Sequence, residues 1–194
     1  MRLFGTIYAL IYFLFLVVMY VLPFFSFSEY SLIENTVTEL GSQNVPGNWI
    51  ANSSIILLGV ATFFLGLITL KTNVIQNIAL FFFSFSFILT GVFEMAGPYY
   101  NQQNYNYIQD GFHSLFSTIT GFAFCFFCAL LLMVLKTKKD KIQTLTMLGF
   151  AISATFLIIT FPEYKGIIQR ILFTAAFSWL FFALVSFKRK EDHI

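Results

Sequence analysis

Six stretches of about 20 residues, nearly free of charge and parted by short polar breaks, run through this chain; each is long enough as an α-helix to cross the roughly 30 Å hydrocarbon layer of a bilayer. Few folds satisfy that pattern. Hydrocarbon supplies no hydrogen bonds, so backbone N–H and C=O groups inside it must be paired within the segment or in a closed barrel. The expected spans are 3–25, 50–70, 74–95, 111–135, 142–161 and 167–187. The fold class is therefore all-α, a polytopic membrane bundle of six transmembrane helices in a single domain over residues 1–194.

The first span follows Arg2 and is longer than the 7 to about 15 apolar residues of a secretory leader. It reads as a retained helix ended near Pro23, with cleavage near Ser26 or Ser28 as the alternative. Composition agrees with a membrane protein: 58% of the residues are hydrophobic and only 10% charged, whereas a soluble domain carries about 25% charged residues. A soluble fold is excluded. The net charge of +2 is too small for a nucleic-acid partner.

Lysine and arginine set the expected orientation. Arg2, Lys71, Lys136, Lys138, Lys139, Lys141, Lys188, Arg189 and Lys190 fall at one end of the bundle, and Lys165 and Arg170 at the other. The positive-inside bias then places both termini in the cytoplasm and turns the loops 26–52, 96–110 and 162–166 outward. The localisation expected is the cell membrane, multi-pass. Glu29, Glu34, Glu39, Glu94, Asp110 and Glu163 all lie on or near the outer side, and the first outer loop has room for a short amphipathic helix. Trp49 and the tyrosines between Tyr99 and Tyr107 read as interfacial anchors, and Trp179 as a packing residue.

Within the spans, Gly59 and Gly66 offer a small-residue face for close helix packing. Cys125 and Cys128 have C-x-x-C spacing but lie mid-span, which points to buried apolar thiols rather than redox or metal chemistry. Three helices per half would suit an inverted repeat, but the halves share no motif.

The stretch GVFEMAGPYYNQQNYNYIQDGFHSLFSTITG, residues 91–121, joins two spans through a polar loop and holds Glu94, Asp110 and His113. Ionisable groups at the edge of hydrocarbon are costly and mark a functional site by default. Asp110 and His113, three apart, share a helical face. Arg170, one turn into the sixth span beside Gln169, is deep enough to call for a carboxylate partner, Glu39 or Glu94.

Several motifs stand in fixed order along the chain: N-T-x-x-E-L-G at Asn35–Gly41, P-G-N-W-I-A-N at Pro46–Asn52, G-x-F-E at Gly91–Glu94, D-G-F-H-S-L-F-S-x-x-T-G at Asp110–Gly121 and G-x-x-Q-R at Gly166–Arg170. In this order the chain resembles the domain-of-unknown-function 998 family, six-helix integral membrane proteins of bacteria and archaea. Thr38 stands where many relatives have serine before the glutamate. The resemblance implies six helices and gives no reaction; its motifs bring Glu39, Glu94, His113 and Arg170 to the outer ends of four regions of the chain.

Four readings of that cluster follow. Glu39, Glu94, Asp110, His113, Gln169 and Arg170 form a polar cluster that binds a lipid or small amphiphile at an outward opening, with membrane lipids as the partners. Alternatively they are a structural clasp locking helices three, four and six with no ligand. A proton-coupled transporter would titrate Glu94 and His113, but no span is visibly broken by Gly and Pro. Catalysis is disfavoured, because a zinc site needs about three protein ligands while the histidines are His113 and the tail His193, and Ser114 or Ser117 beside His113 is more simply packing. The protein is expected to use no cofactor and no metal; homo-oligomerisation stays open.

Overall fold

The computed structural model describes residues 2–97 and 105–191, with side chains described for 3–97 and 105–185. Six helices carry the chain: α1 (Arg2–Val21), α2 (Asn48–Thr69), α3 (Val74–Val92), α4 (Tyr107–Val134), α5 (Lys138–Thr160) and α6 (Lys165–Glu191). Each belongs to a segment long and apolar enough to cross a membrane. The protein is a multi-pass membrane protein, and no strand occurs among the described residues. His193, Tyr99 and Tyr100, singled out from the sequence, lie outside the described residues.

Local chemistry explains where the helices start and stop. Pro23 sits in the tighter 3-10 turn Leu22–Phe25 that finishes the first span, consistent with its fixed φ and missing N–H. α3 stops at Val92, and Phe93 is extended at φ −96° and ψ 119°, so Glu94 stands on a strand-like exit rather than on the helix. α4 begins a turn earlier than expected because the Asn106 side chain accepts from Ile108 N at 3.1 Å and Gln109 N at 3.2 Å, capping two orphan donors. Thr137 likewise caps α5 by accepting from Asp140 N at 3.1 Å. That early start puts Lys138, Lys139 and Lys141 in the first turn of α5. In the α1–α2 loop the helical piece is a single 3-10 turn, Thr38–Gly41, not an amphipathic helix.

The helices close into a ring. α1 packs on α2 and α6, α2 on α3, α3 on α4, α4 on α5 and α5 on α6, with α2 also reaching α6 across the middle. The FFFSFSF run of α3 divides by helical periodicity: Phe83 and Phe87 turn inward, while Phe81, Phe82 and Phe85 stay exposed at positions facing hydrocarbon. Phe177 of α6 is the hub. Its ring centroid lies 5.0 Å from Phe87, 5.9 Å from Phe15, 6.0 Å from Phe83 and 6.2 Å from Phe173, in tilted and edge-on geometries that suit aromatic quadrupoles.

Lipid is as apolar as these side chains, so close packing and internal hydrogen bonds must hold the helices together. Gly59 meets that need: a Cβ there would stand 3.1 Å from Ser84 O, so α2 and α3 approach almost backbone to backbone. Tyr8 donates to Phe177 O at 3.0 Å and Tyr12 to Thr174 O at 2.8 Å, tying α1 to α6. Gln76 donates to Leu130 O at 3.1 Å, tying α3 to α4. Cys125 and Cys128 are free, half-buried and buried respectively.

Candidate functional site

The α1–α2 loop, residues 26–47, is bound down at two places, and the six residues singled out from the sequence divide between them. Glu39, Gln169 and Arg170 belong to one knot; Glu94, Asp110 and His113 belong to the other.

The first knot is built on the start of α6. Arg170 is fully buried. Its Nη1 donates to Asn35 O at 2.6 Å, Leu32 O at 3.0 Å and Gly166 O at 3.0 Å, its Nη2 to the Tyr30 hydroxyl at 2.5 Å, and its Nε to Met19 O at 3.4 Å. The Tyr30 ring lies beneath it, 5.6 Å from the guanidinium carbon. The expected carboxylate partner is thus replaced by four backbone carbonyls, a hydroxyl and an aromatic face. The physical reason is the donor count: a guanidinium has five N–H groups in a planar fork, and an irregular loop folded around it supplies more carbonyl acceptors than one carboxylate would. Burial pushes the Tyr30 phenol up to about 12, even though Arg170 pulls it the other way.

Glu39 instead pairs with Lys165. Lys165 Nζ stands 2.5 Å from Glu39 Oε1, while Oε2 accepts from Asn35 Nδ2 at 2.7 Å and Thr36 N at 3.0 Å. Gln169 Oε1 accepts from Val37 N at 2.7 Å. Ile167 N, an orphan donor of the first helical turn, reaches Ile33 O at 3.0 Å. Gly166 makes this contact possible, since a Cβ there would clash with Asn35 O and stand 2.7 Å from Ile33 O and 2.8 Å from Leu32 O.

The second knot joins the loop to the α3–α4 connection. Gln43 Nε2 donates to Glu94 O and Asn106 O, both at 3.0 Å, and Gln43 Oε1 accepts from Asn106 N at 2.8 Å. Asn48 Nδ2 donates to Glu94 Oε1 at 3.0 Å. Asp110 Oδ1 accepts from Ala96 N at 2.8 Å, and His113 Nδ1 lies 2.8 Å from Phe93 O. Partial burial raises the Glu94 pKa above its ordinary value. His113 therefore holds a backbone carbonyl at Nδ1, not a serine. Among the described residues no three His, Cys, Asp or Glu side chains converge on a metal-sized site.

Both knots use their polar groups on the protein itself. The six residues expected to converge fall instead into two hydrogen-bonded sets, one joining the loop to α6 and one joining it to the α3–α4 connection. Sequence reasoning did not assign Tyr30, Asn35, Gln43 or Asn48 to the cluster, nor Lys165 to Glu39. The signal available for Asn35 and Asn48 was their place inside the ordered motifs.

A cavity lies at the opposite, lysine-rich end, between α4, α5 and α6 and beside Thr72 and Asn73 of the α2–α3 turn. It measures about 950 Å³ and is lined by Leu131, Met147, Phe150, Ala175, Trp179 and Ala183, with Lys136, Asp140, Gln143 and Thr144 toward its polar end. Ile142 and Phe182, also on its wall, are exposed, so it opens sideways toward hydrocarbon. Volume and lining match small-molecule sites, which run from about 300 to about 1,000 Å³ and are mostly apolar with a few polar groups. No sequence pattern marked it.

A family model described as Protein of unknown function (DUF998) matches residues 9–186. No curated protein and no solved structure matches the chain.

Proposed function

The chain belongs to the DUF998 family, and we propose that this multi-pass membrane protein binds a lipid or small amphiphile in the cavity between α4, α5 and α6. The observation that carries the reading is the cavity itself: about 950 Å³ walled by apolar side chains, open at its side and closed by polar groups at one end. That division of the wall matches an amphiphile, a tail with a head. The outer cluster suits a ligand less well, because Arg170, Glu39 and Gln169 already have partners within the protein. We read it as the structural clasp that keeps the outer ends of the helices together, at the end of the bundle away from the cavity. We place the protein in the cell membrane with its lysine-rich end in the cytoplasm, on the strength of the lysine and arginine bias.

Trp179 on the cavity wall supplies the test. The chain has two tryptophans, so Trp49→Phe leaves Trp179 as the only indole. In nanodiscs, a single-chain amphiphile brominated along its tail is expected to quench Trp179 saturably, and Ala183→Phe, which fills the cavity, should abolish the saturable part. Quenching that simply follows the bulk fraction of brominated chains and ignores Ala183→Phe would overturn the proposal.

A further inference from the structure

We infer that the amphiphile this cavity takes carries an anionic head, held at the α4–α5 turn with its tail reaching the middle of the membrane; this rests on the cavity being a binding site at all. The first argument is depth. Along α5 the lining runs from Asp140 to Phe150, and along α6 from Ala175 to Ala183. At about 1.5 Å of rise per residue the α5 wall is about 15 Å tall, half of a roughly 30 Å hydrocarbon layer. The cavity therefore spans one leaflet, with its polar end at the surface and Phe150 and Ala175 near the midplane.

The second argument is what distinguishes one ligand from another at such a site. A tail moving from lipid into an apolar cavity leaves one apolar medium for another, so little of the preference comes from the hydrophobic effect. The head must then supply selectivity. Lys136 lines the polar end, and Lys138, Lys139 and Lys141 follow in the first turn of α5. Within this stretch, residues 136–141, the four lysines face one acid, Asp140, whose Oδ2 accepts from the Thr137 hydroxyl at 2.6 Å while its own N–H is capped by Thr137. The N-terminus of α5, the positive end of its dipole, lies in this same stretch. Gln143 and Thr144 add uncharged polar groups to the wall. The charge at this end is complementary to a phosphate or carboxylate head and repels an ammonium.

Three probes with one tail separate the terms: hexadecyl phosphate, hexadecylphosphocholine and hexadecyltrimethylammonium, titrated into the Trp49→Phe protein in phosphatidylcholine nanodiscs and read by displacement of the brominated amphiphile from Trp179. Hexadecyl phosphate should displace at least fivefold more tightly than the phosphocholine, and hexadecyltrimethylammonium least well. Lys136→Gln should narrow the gap by about fivefold, the effect of one lysine at a membrane surface. Attraction by the lysines at the surface alone would survive Ala183→Phe, and a phosphate preference that persists in that variant overturns the inference. Equal displacement by all three probes overturns the anionic head but leaves the cavity occupied by an amphiphile. If no probe displaces saturably, the binding function fails with it.

Discussion

Arg170 Nη2 donates to the Tyr30 hydroxyl at 2.5 Å, and the same hydroxyl donates to Thr36 O at 2.6 Å, so one phenol links a buried cation in α6 to the backbone of the α1–α2 loop. The guanidinium is enclosed by carbonyls from Met19, Leu32, Asn35 and Gly166. A cation without water is tolerated only when such dipoles replace its hydration. The loop is thus shaped around the side chain it covers, and disturbing either partner should loosen the other.

Arg170→Lys keeps the charge but loses the planar fork, and Arg170→Met leaves buried carbonyls without donors. Each should destabilise the protein by about 2 to 4 kcal/mol, seen as a lowered Tm in detergent together with faster proteolysis within residues 26–47. A variant as stable as the parent, with an equally protected loop, would show that the cage contributes nothing.

Gly166→Ala puts a methyl group against Ile33 O and Leu32 O, where the backbone cannot easily retreat. A cost of about 1 to 3 kcal/mol is expected from overpacking. Gly149→Ala is the matched control, because a Cβ there meets nothing within 4 Å and helix propensity favours alanine by up to about 1 kcal/mol. The two substitutions should move Tm in opposite directions.

Glu39 and Lys165 form an ion pair in which the carboxylate side chain is only 4% exposed. A double-mutant cycle with Glu39→Gln and Lys165→Met should give a coupling of about 1 to 3 kcal/mol, above the 0 to about 1 kcal/mol of solvated pairs. Coupling below half a kilocalorie, roughly the usual noise of additivity, would reduce the pair to incidental contact.

The Tyr30 phenol is raised to about 12 from an ordinary value of 10.0, chiefly by burial. Because the folded state holds this proton more tightly, the stabilisation is fully present below about pH 10 and is lost as pH rises toward 12. Tyrosinate absorbance should show one phenol titrating near pH 12 that is missing in Tyr30→Phe. Stability of the parent should fall across that window more steeply than that of the variant.

Membrane orientation is open to labelling. Cysteine at the exposed outer-loop position Glu34 should react with an impermeant maleimide on intact cells, and cysteine at exposed Lys139 only after lysis. The reverse pattern would invert the bundle.

Much of the fold was legible because it depends on local quantities. Each span could be found from its own length and hydropathy, and Gly59 marked a close helix contact without any knowledge of Ser84. Boundaries shifted where a side chain outside the apolar run decided them: Asn106 extended α4 and Thr137 extended α5. The candidate cluster was legible as a set of costly polar residues, but not as pairs. Arg170 was paired with Glu39 or Glu94 from charge alone, whereas Lys165, just before the start of the expected sixth span, took the Glu39 carboxylate.

What the sequence determined by itself was six helices in a membrane, since hydrocarbon forces each apolar segment to satisfy its own backbone and no distant residue can change that. Tertiary structure decided what the buried polar groups do. Arg170 is held by backbone carbonyls, which every residue has and no sequence pattern marks, and they became acceptors only when the loop folded around the cation. It also decided the cavity, because a void belongs to no residue: it exists only where side chains from α4, α5 and α6, distant in sequence, come together without filling the space between them.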